Sequence, residues 1–333
     1  MRAMVLAASG PAAGRPLELR DAPVPEIGPE DILIRVRACG VCHTDLHAVE
    51  GELPDAKLPL VPGHEVVGVV ERAGERAMRF KAGDRVGAAW LRSACGGCRF
   101  CRSGRENLCE AARFNGYHAD GGYAEFMAVP EMFAYAVPER FGDEEAAPLM
   151  CAGIVGYRAL ALSGFERGGT VGLYGFGASA HIALQVAKHR GAKVFVFSRG
   201  EAHRKLALDL GADWTGTAAD DPPEKLTSAV IFAPVGALYL DALRVLDRGG
   251  TAASAGIHMS PVPELDYDRL LYHERRMVSV ANATRADGEA LLKLAAEIPI
   301  RTTVRVFPLE AANEALALLK AGKIDGAAVL KVP

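Results

Sequence analysis

The chain has almost no net charge for its size. Lys and Arg number 38 against 41 Asp and Glu, a balance of −3 with a pI near 6.3. No electrostatic footprint for nucleic acid or an anionic membrane is present, and neither partner is expected. No uninterrupted apolar run approaches the ~20 residues that cross a bilayer as a helix. Internal repeats and low-complexity tracts are also missing. Met1 to Ser9 has an early Arg and a short apolar patch, but Gly10-Pro11 cuts it off, so a first β-strand is expected there rather than an export signal. The protein is therefore expected in the cytoplasm, where clustered cysteines hold metal more often than they form disulfides.

What remains is an ordinary globular composition, 50% apolar and 24% charged, over 333 residues. That length suffices for two domains, each with its own core. Up to about Pro62 the chain is broken by Gly-Pro and Pro-x-Pro steps between short alternating runs such as Ile32–Arg37, the pattern of an irregular β-rich domain. Within it stands Cys39-Gly-Val-Cys42-His43-Thr44-Asp45-Leu46-His47. A thiolate suits Zn²⁺, a hydroxyl passes protons, and a carboxylate orients a histidine ligand. Alone, Cys-x-x-Cys also reads as a redox pair or half a zinc knuckle. Its company sharpens it: Gly63-His64-Glu65 downstream and a lone Cys151 would complete a Cys₂His set with one open position.

A second cluster, Cys95-x₂-Cys98-x₂-Cys101-x₇-Cys109, lies in a Gly- and Arg-rich loop. Four thiols so close would close a tetrahedral structural zinc site. An iron–sulfur cluster and a loop of unpaired thiols are the rivals. The last gap fits neither common iron–sulfur spacing, and free thiols in a polar loop are a liability.

From about Gly153 the texture changes. Thr170–Tyr174 is a short apolar strand, followed by Gly175-Phe-Gly177-Ala-Ser-Ala180, a helical run from Ile182 to Ala187 and a second strand, Lys193–Phe197. Strand, glycine turn, helix, strand is the context that a dinucleotide fingerprint requires; a glycine-rich surface turn is the bland alternative. Further strands at Ala229–Phe232 and Gly250–Gly256 extend the alternation to a doubly wound parallel sheet. An acidic residue usually follows the second strand and selects NAD. Here that strand ends in Ser198-Arg199-Gly200, with His203 and Arg204 beyond and no carboxylate before Glu201. Ser198 and the Arg199 fork suit a 2′-phosphate, so NADP is expected over NAD; Arg199 stacked on adenine would be compatible with NAD. Two helical patterns around a strand at Thr303–Phe307 form the tail, and composition does not say which domain they join.

Together these motifs resemble the zinc-dependent alcohol dehydrogenases of the medium-chain dehydrogenase/reductase family, most closely the bacterial branch acting on primary alcohols. Asn107-Leu-Cys109, Gly121–Glu125, Leu149–Gly153 and Ala311–Leu316 carry the likeness nearly end to end. The resemblance implies an α/β protein: a GroES-like catalytic domain from residues 1–151 and 285–333, with a zinc lobe at 92–112, and a Rossmann domain at 152–284. It implies two zinc ions. Cys42, His64 and Cys151 would hold the catalytic one, with Glu65 an alternate ligand and Asp45 the partner of His64. Thr44 would take the alcohol proton and pass it through the cofactor ribose to His47. His43, Gly256 and Ile257 would join Gly175, Gly177, Ala180, Ser198, Arg199 and Arg204 at the cofactor. Trp90 and Leu53 would line the substrate site, with Leu53 leaving room for longer or aromatic substrates; core packing is the plain reading of Trp90. Cys39 reads as a small buried hydrophobe. A homo-oligomer, tetramer or dimer, is implied by analogy. The rivals are a polyol or secondary-alcohol dehydrogenase, a quinone or enoyl reductase lacking the zinc ligands, and a catalytically silent zinc- and nucleotide-binding redox sensor.

Overall fold

Short segments between prolines and glycines fold as strands. In the computed structural model, which describes residues 1–333, β1 (Arg2–Leu6) and β2 (Leu17–Asp21) form an antiparallel ribbon. β3 (Asp31–Val41) leads into α1 (His43–Glu50), and β4 (Glu65–Ala73) and β5 (Arg85–Ala88) follow. β6 (Leu91–Ser93) and β7 (Arg113–Phe114) pair across the base of the cysteine loop, which holds the single-turn helix α2 (Arg99–Arg102). β8 (Phe126–Pro130), β9 (Ala134–Ala136) and the short helix α3 (Asp143–Ala146) complete this segment. β3 is the long central strand: β4 runs along one side, while β8 pairs with its first half on the other. Apolar residues of β3 and β4, including Ile32, Ile34, Val36, Val66 and Val70, are buried in the core between sheet and loops.

The next stretch alternates helix and strand: α4 (Ala152–Leu162), β10 (Thr170–Tyr174), α5 (Ala178–His189), β11 (Lys193–Phe197), α6 (Glu201–Asp209), β12 (Trp214–Gly216), β13 (Leu226–Ile231), α7 (Leu238–Val245), β14 (Leu246–Ser254), α8 (Tyr267–Leu270) and β15 (Arg276–Ser279). All six strands are parallel in the order β12-β11-β10-β13-β14-β15, which is doubly wound about β10. Helices cover both faces of such a sheet, and all five residues of β10 are accordingly buried. By length and composition alone, the helical stretch Asp143–Leu162 passes for a membrane span. It opens on three acids, is interrupted at Cys151 and is mostly buried inside the protein, as a core helix is.

The last segment returns to the first sheet. After α9 (Arg285–Glu297) come β16 (Val304–Pro308), α10 (Ala312–Lys320) and β17 (Ala327–Lys331). β17 pairs antiparallel with the second half of β3, Ala328 opposite Val41, and β16 adds in parallel beyond it. Two buried contacts pin the return. Asn313 accepts from the Leu17 N–H (3.1 Å) and donates to the Leu17 carbonyl (2.8 Å). Glu106, in the cysteine loop, accepts from the N–H (3.0 Å) and Nε (3.2 Å) of Arg285. Such bonds contribute roughly 1 kcal/mol each net. The chain thus divides into Met1–Cys151 with Thr284–Pro333, and Ala152–Ala283.

In the second unit, burial of His181 on α5 depresses its pKa to about 4, against weaker support from the Gly177 and Ala178 backbone. The unfolded chain binds a proton there at about pH 6.5, the native chain at about 4, so stability falls as pH drops through that window. The full effect is about 3 kcal/mol. We expect His181→Gln to lose about 2 kcal/mol less stability than the wild type between pH 7 and 4.5, measured by urea unfolding. Equal losses would show that His181 does not contribute to acid lability.

Candidate active site

The register of β3 on β4 builds the site. Gly40 lies opposite Glu65, which brings Cys42, just past β3, beside His64, just before β4. Cys42 is also the N-cap of α1, with extended backbone (φ −114°, ψ 160°). Three positions on, the Asp45 carboxylate accepts the Cys42 N–H (3.0 Å), the Gly63 N–H (3.1 Å) and Nδ1–H of His64 (2.9 Å). A buried carboxylate is tolerated only when so satisfied. With Nδ1 committed, His64 presents Nε2 as a lone pair, and that buried atom has no hydrogen-bond partner. Cys151 arrives from the turn that follows a 3₁₀ segment, Ala147–Met150.

The result is a ligand cluster. The ligand atoms of Cys42, His64, Glu65 and Cys151 lie within 4.8 Å of one another. His64 and Glu65 are buried and the two cysteines half-buried, so the cluster opens on its sulfur side. The Cys42 thiol is held well below its usual range, first by a hydrogen bond from the Cys151 thiol; Cys151 is correspondingly raised. Two thiols thus stand beside two carboxylates, a site that suits a dication. The orphaned imidazole nitrogen and this donor set fit zinc. Cys39 is wholly buried, its thiol pushed well up by burial and then by Asp45 and Glu65.

The second cluster joins Cys95, Cys98, Cys101 and Cys109, again with sulfurs within 4.8 Å. Sulfurs of Cys98 and Cys101 are 3.5 Å apart and those of Cys95 and Cys101 3.9 Å. Four ~2.3 Å zinc–sulfur bonds in a tetrahedron would space sulfurs by ~3.8 Å, whereas a disulfide needs about 2.05 Å. Backbone N–H groups of Gly97 and Cys98 lower the Cys95 thiol to about 6, while burial and then Cys98 push Cys101 up to about 12.

Along α1, Thr44 is buried with its hydroxyl 3.8 Å from the Cys42 sulfur, and the His47 ring is partly exposed with Nδ1 against Glu52. His43 is exposed, its ring 6.5 Å from that of His47. Trp90 meets His64 edge-on (4.9 Å between ring centres), stacks on Phe114 (5.1 Å) and touches Tyr117 (5.6 Å). Leu53 packs on the same cluster, beside Ala48 and Tyr117.

In the other unit, Gly175 turns with φ +85° close against Ala233, and Gly177 caps α5 with open space where a Cβ would stand. That bare approach, at the N-terminus of a helix, is what a pyrophosphate needs. Ala180 is buried behind it. At the end of β11, Ser198 is buried and Arg199 exposed, and Arg204 folds back to donate to the carbonyls of Ser198 (2.7 Å) and Arg199 (2.9 Å). Gly256 and Ile257 follow β14, Ile257 well exposed.

Several residues of the sites escape a reading of the sequence. Tyr123 packs against Gly63 (φ +102°), where a Cβ would come within 2.4 Å of its ring and 2.8 Å of the Cys39 sulfur. Gly40 faces Glu65 so closely that a Cβ would sit 1.8 Å from Oε2. A glycine inside a strand, as at Gly40, is the available signal of such close approach. Glu52 and His181 have no signal of this kind.

The chain resembles known dehydrogenases over nearly its whole length. The family model described as alcohol dehydrogenase GroES-like domain matches residues 28–139, and that described as zinc-binding dehydrogenase matches 178–297. The chain is 50% identical over 328 residues to a Mycobacterium tuberculosis protein named "Probable alcohol dehydrogenase AdhA", covering 97% of this chain and 95% of that one. A solved NAD-dependent alcohol dehydrogenase superposes with a TM-score of 0.92 at 28% identity, each chain fully covered. A Helicobacter pylori CAD complexed with NADP(H) gives 0.88 at 26%, with 99% of each chain covered.

If Glu65 is held as described, Gly40→Ala forces it aside and destabilises the protein by about 1–3 kcal/mol in urea unfolding. Gly97→Ala, with only the Cys95 carbonyl at 4.0 Å, is the control and should be near neutral. A Gly40→Ala protein as stable as the wild type would contradict this packing.

Proposed function

The chain belongs to the zinc-dependent alcohol dehydrogenases of the medium-chain dehydrogenase/reductase family, and we propose that it oxidises short- to medium-chain primary alcohols, aromatic ones included, and reduces the matching aldehydes. It is an NAD(P)-dependent oxidoreductase whose substrates are small alcohols and aldehydes. The observation that carries the finer reading is the orphaned Nε2 of buried His64, facing two half-buried thiols.

Cys42, His64 and Cys151 would hold the catalytic zinc, with Glu65 able to approach the metal, and Cys95, Cys98, Cys101 and Cys109 a structural one. Zinc in the first set supplies Lewis acidity toward an alcohol or carbonyl oxygen. Asp45 keeps His64 in the one tautomer that offers Nε2. Buried Thr44 receives the alcohol proton and His47, at the wetter end of α1, delivers it outward. A bound nicotinamide would supply the hydride chemistry, for a balance of RCH₂OH and NAD(P)⁺ against RCHO, NAD(P)H and H⁺. Trp90 narrows the substrate space beside His64 and Leu53 leaves it room, with His43 nearer the cofactor.

Gly175, Gly177 and Ala180 would take the pyrophosphate, and Gly256 and Ile257 lie farther along the cofactor. NADP is the preferred nucleotide in this reading. Arg204 anchors a positive charge on the carbonyls of Ser198 and Arg199, and no carboxylate ends β11. A 2′-phosphate there meets Ser198 and two guanidinium groups. A cytoplasmic homo-oligomer, dimer or tetramer, completes the proposal.

An alcohol panel followed at 340 nm with each nucleotide tests the reaction itself. Cys151→Ala should abolish turnover with the fold retained, whereas Cys98→Ala should lower the Tm or cause aggregation, because structural zinc contributes folding free energy. Elemental analysis should give two zinc per wild-type chain. Ordinary activity in Cys151→Ala would remove the catalytic assignment.

Ser198→Asp with Arg199→Ile should move the ratio of kcat/KM from NADP toward NAD by about ten- to a hundredfold, mostly through KM. A wild-type protein clearly better with NAD would overturn the nucleotide preference and leave the zinc assignments untouched.

A further inference from the structure

We propose that Glu52 is the positioning residue of His47: its carboxylate accepts a hydrogen bond from Nδ1–H, so that the ring offers Nε2 to the proton arriving from Thr44. The inference rests on the relay reading of Thr44 and His47 given above.

The pairing is built by the end of α1. Gly51 leaves the helix in the left-handed region (φ +76°), its N–H shared between the carbonyls of Ala48 and His47. The next N–H, of Glu52, is bonded to the His47 carbonyl at 3.0 Å. The backbones of His47 and Glu52 are therefore tied together, and Glu52 Oε2 meets His47 Nδ1. The imidazole side chain is 12% exposed and the carboxylate 43%, so the pair reaches from the protein interior to water.

A neutral imidazole has one donor and one acceptor nitrogen, and the partner of one nitrogen decides the state of the other. An ionised carboxylate only accepts, which selects the Nδ1–H form and places the lone pair on Nε2. When Nε2 takes a proton, the same carboxylate faces the imidazolium, and loss of the Nε2 proton to water restores the Nδ1–H form. The neighbouring charged groups have partners of their own, although Glu50 and His43 also feel the charge of His47. Asp45 bonds Cys42, Gly63 and His64, and Glu50 takes the Ala12 N–H and Lys320 of α10 (2.7 Å). His43 stands on the same helix, 6.5 Å away ring to ring. A purely structural surface pair would be worth at most about 1 kcal/mol and would leave the ring chemistry unchanged.

The test reads the ring directly and then the reaction. In protein labelled with ¹⁵N-histidine, the His47 signals among nine histidines are assigned by their loss in His47→Gln. We expect the wild type to show Nδ1–H, Glu52→Ala to shift toward Nε2–H, and Glu52→Gln, whose amide oxygen still accepts, to keep the wild-type form. Alcohol turnover should follow: Glu52→Ala slows it by about three- to tenfold, within the range of acid–base contributions, and Glu52→Gln restores most of the loss. The double variant His47→Gln with Glu52→Ala should be no slower than His47→Gln alone, because both act through one group. An unchanged ring signal in Glu52→Ala, or a further slowing in the double variant, overturns the role of Glu52. If His47→Gln turns over as the wild type does, the relay reading fails, and the function assigned to the pair fails with it, whatever the ring signal shows.

Discussion

The site depends on one buried carboxylate. Asp45 is completely shielded from solvent, and its two oxygens hold the N–H of Cys42, the N–H of Gly63 and the ring of His64. Those donors belong to two separate loops, one leaving β3 and one entering β4. Placing an ion in the interior costs several kcal/mol unless it is fully bonded. The cost is met here by three donors, and the return is geometric: Cys42 and His64, 22 residues apart in sequence, are held to a common anchor. The His64 ring, charged or neutral, cannot turn without breaking that set.

Around this anchor the interior is rich in acceptors and poor in cations. Asp45, Glu65, Cys42 and Cys151 crowd one imidazole, and the buried Tyr123 hydroxyl has no partner. The Tyr123 phenol is driven well above its ordinary range, by burial first and then by Asp45, Cys39 and Glu65. The thiol pKa values follow the same crowding, Cys42 held low and Cys151 pushed high. A divalent cation resolves this imbalance better than any proton arrangement, and the neutral thiol of Cys39 behaves as plain packing.

How much of this was legible in the sequence differs by level. The parallel sheet was, because strand, glycine turn and helix recur in a βαβ rhythm and only a doubly wound order suits them. The four-cysteine loop was, because few residue types bind metal and its spacing is short, whereas Cys42, His64 and Cys151 span 109 residues and were joined through the family resemblance. Pairings set by register were not. That Gly40 must lack a side chain follows only once Glu65 is known to lie opposite, and that depends on slips in the β3–β4 ladder near Leu33 and Val36. The buried clamp of Asn313 on Leu17 joins residues 296 apart, a distance over which local pattern carries no information. The composition of the tail likewise could not choose its domain; the ladder between β17 and β3 does.

The same device occurs at both ends of α1. Near its start, Asp45 takes Nδ1–H of His64 and leaves Nε2 toward the thiols; past its end, Glu52 meets Nδ1 of His47. The settings differ in a way that suits two tasks. Asp45 lies in the first turn, where the partial positive charge of the helix N-terminus favours an anion, and it is sealed from water, so the tautomer it imposes is fixed. His47 lies in the last turn, and the carboxylate beside it is open to solvent. One eight-residue helix thus carries both the carboxylate that fixes the His64 ring and the histidine that Glu52 meets.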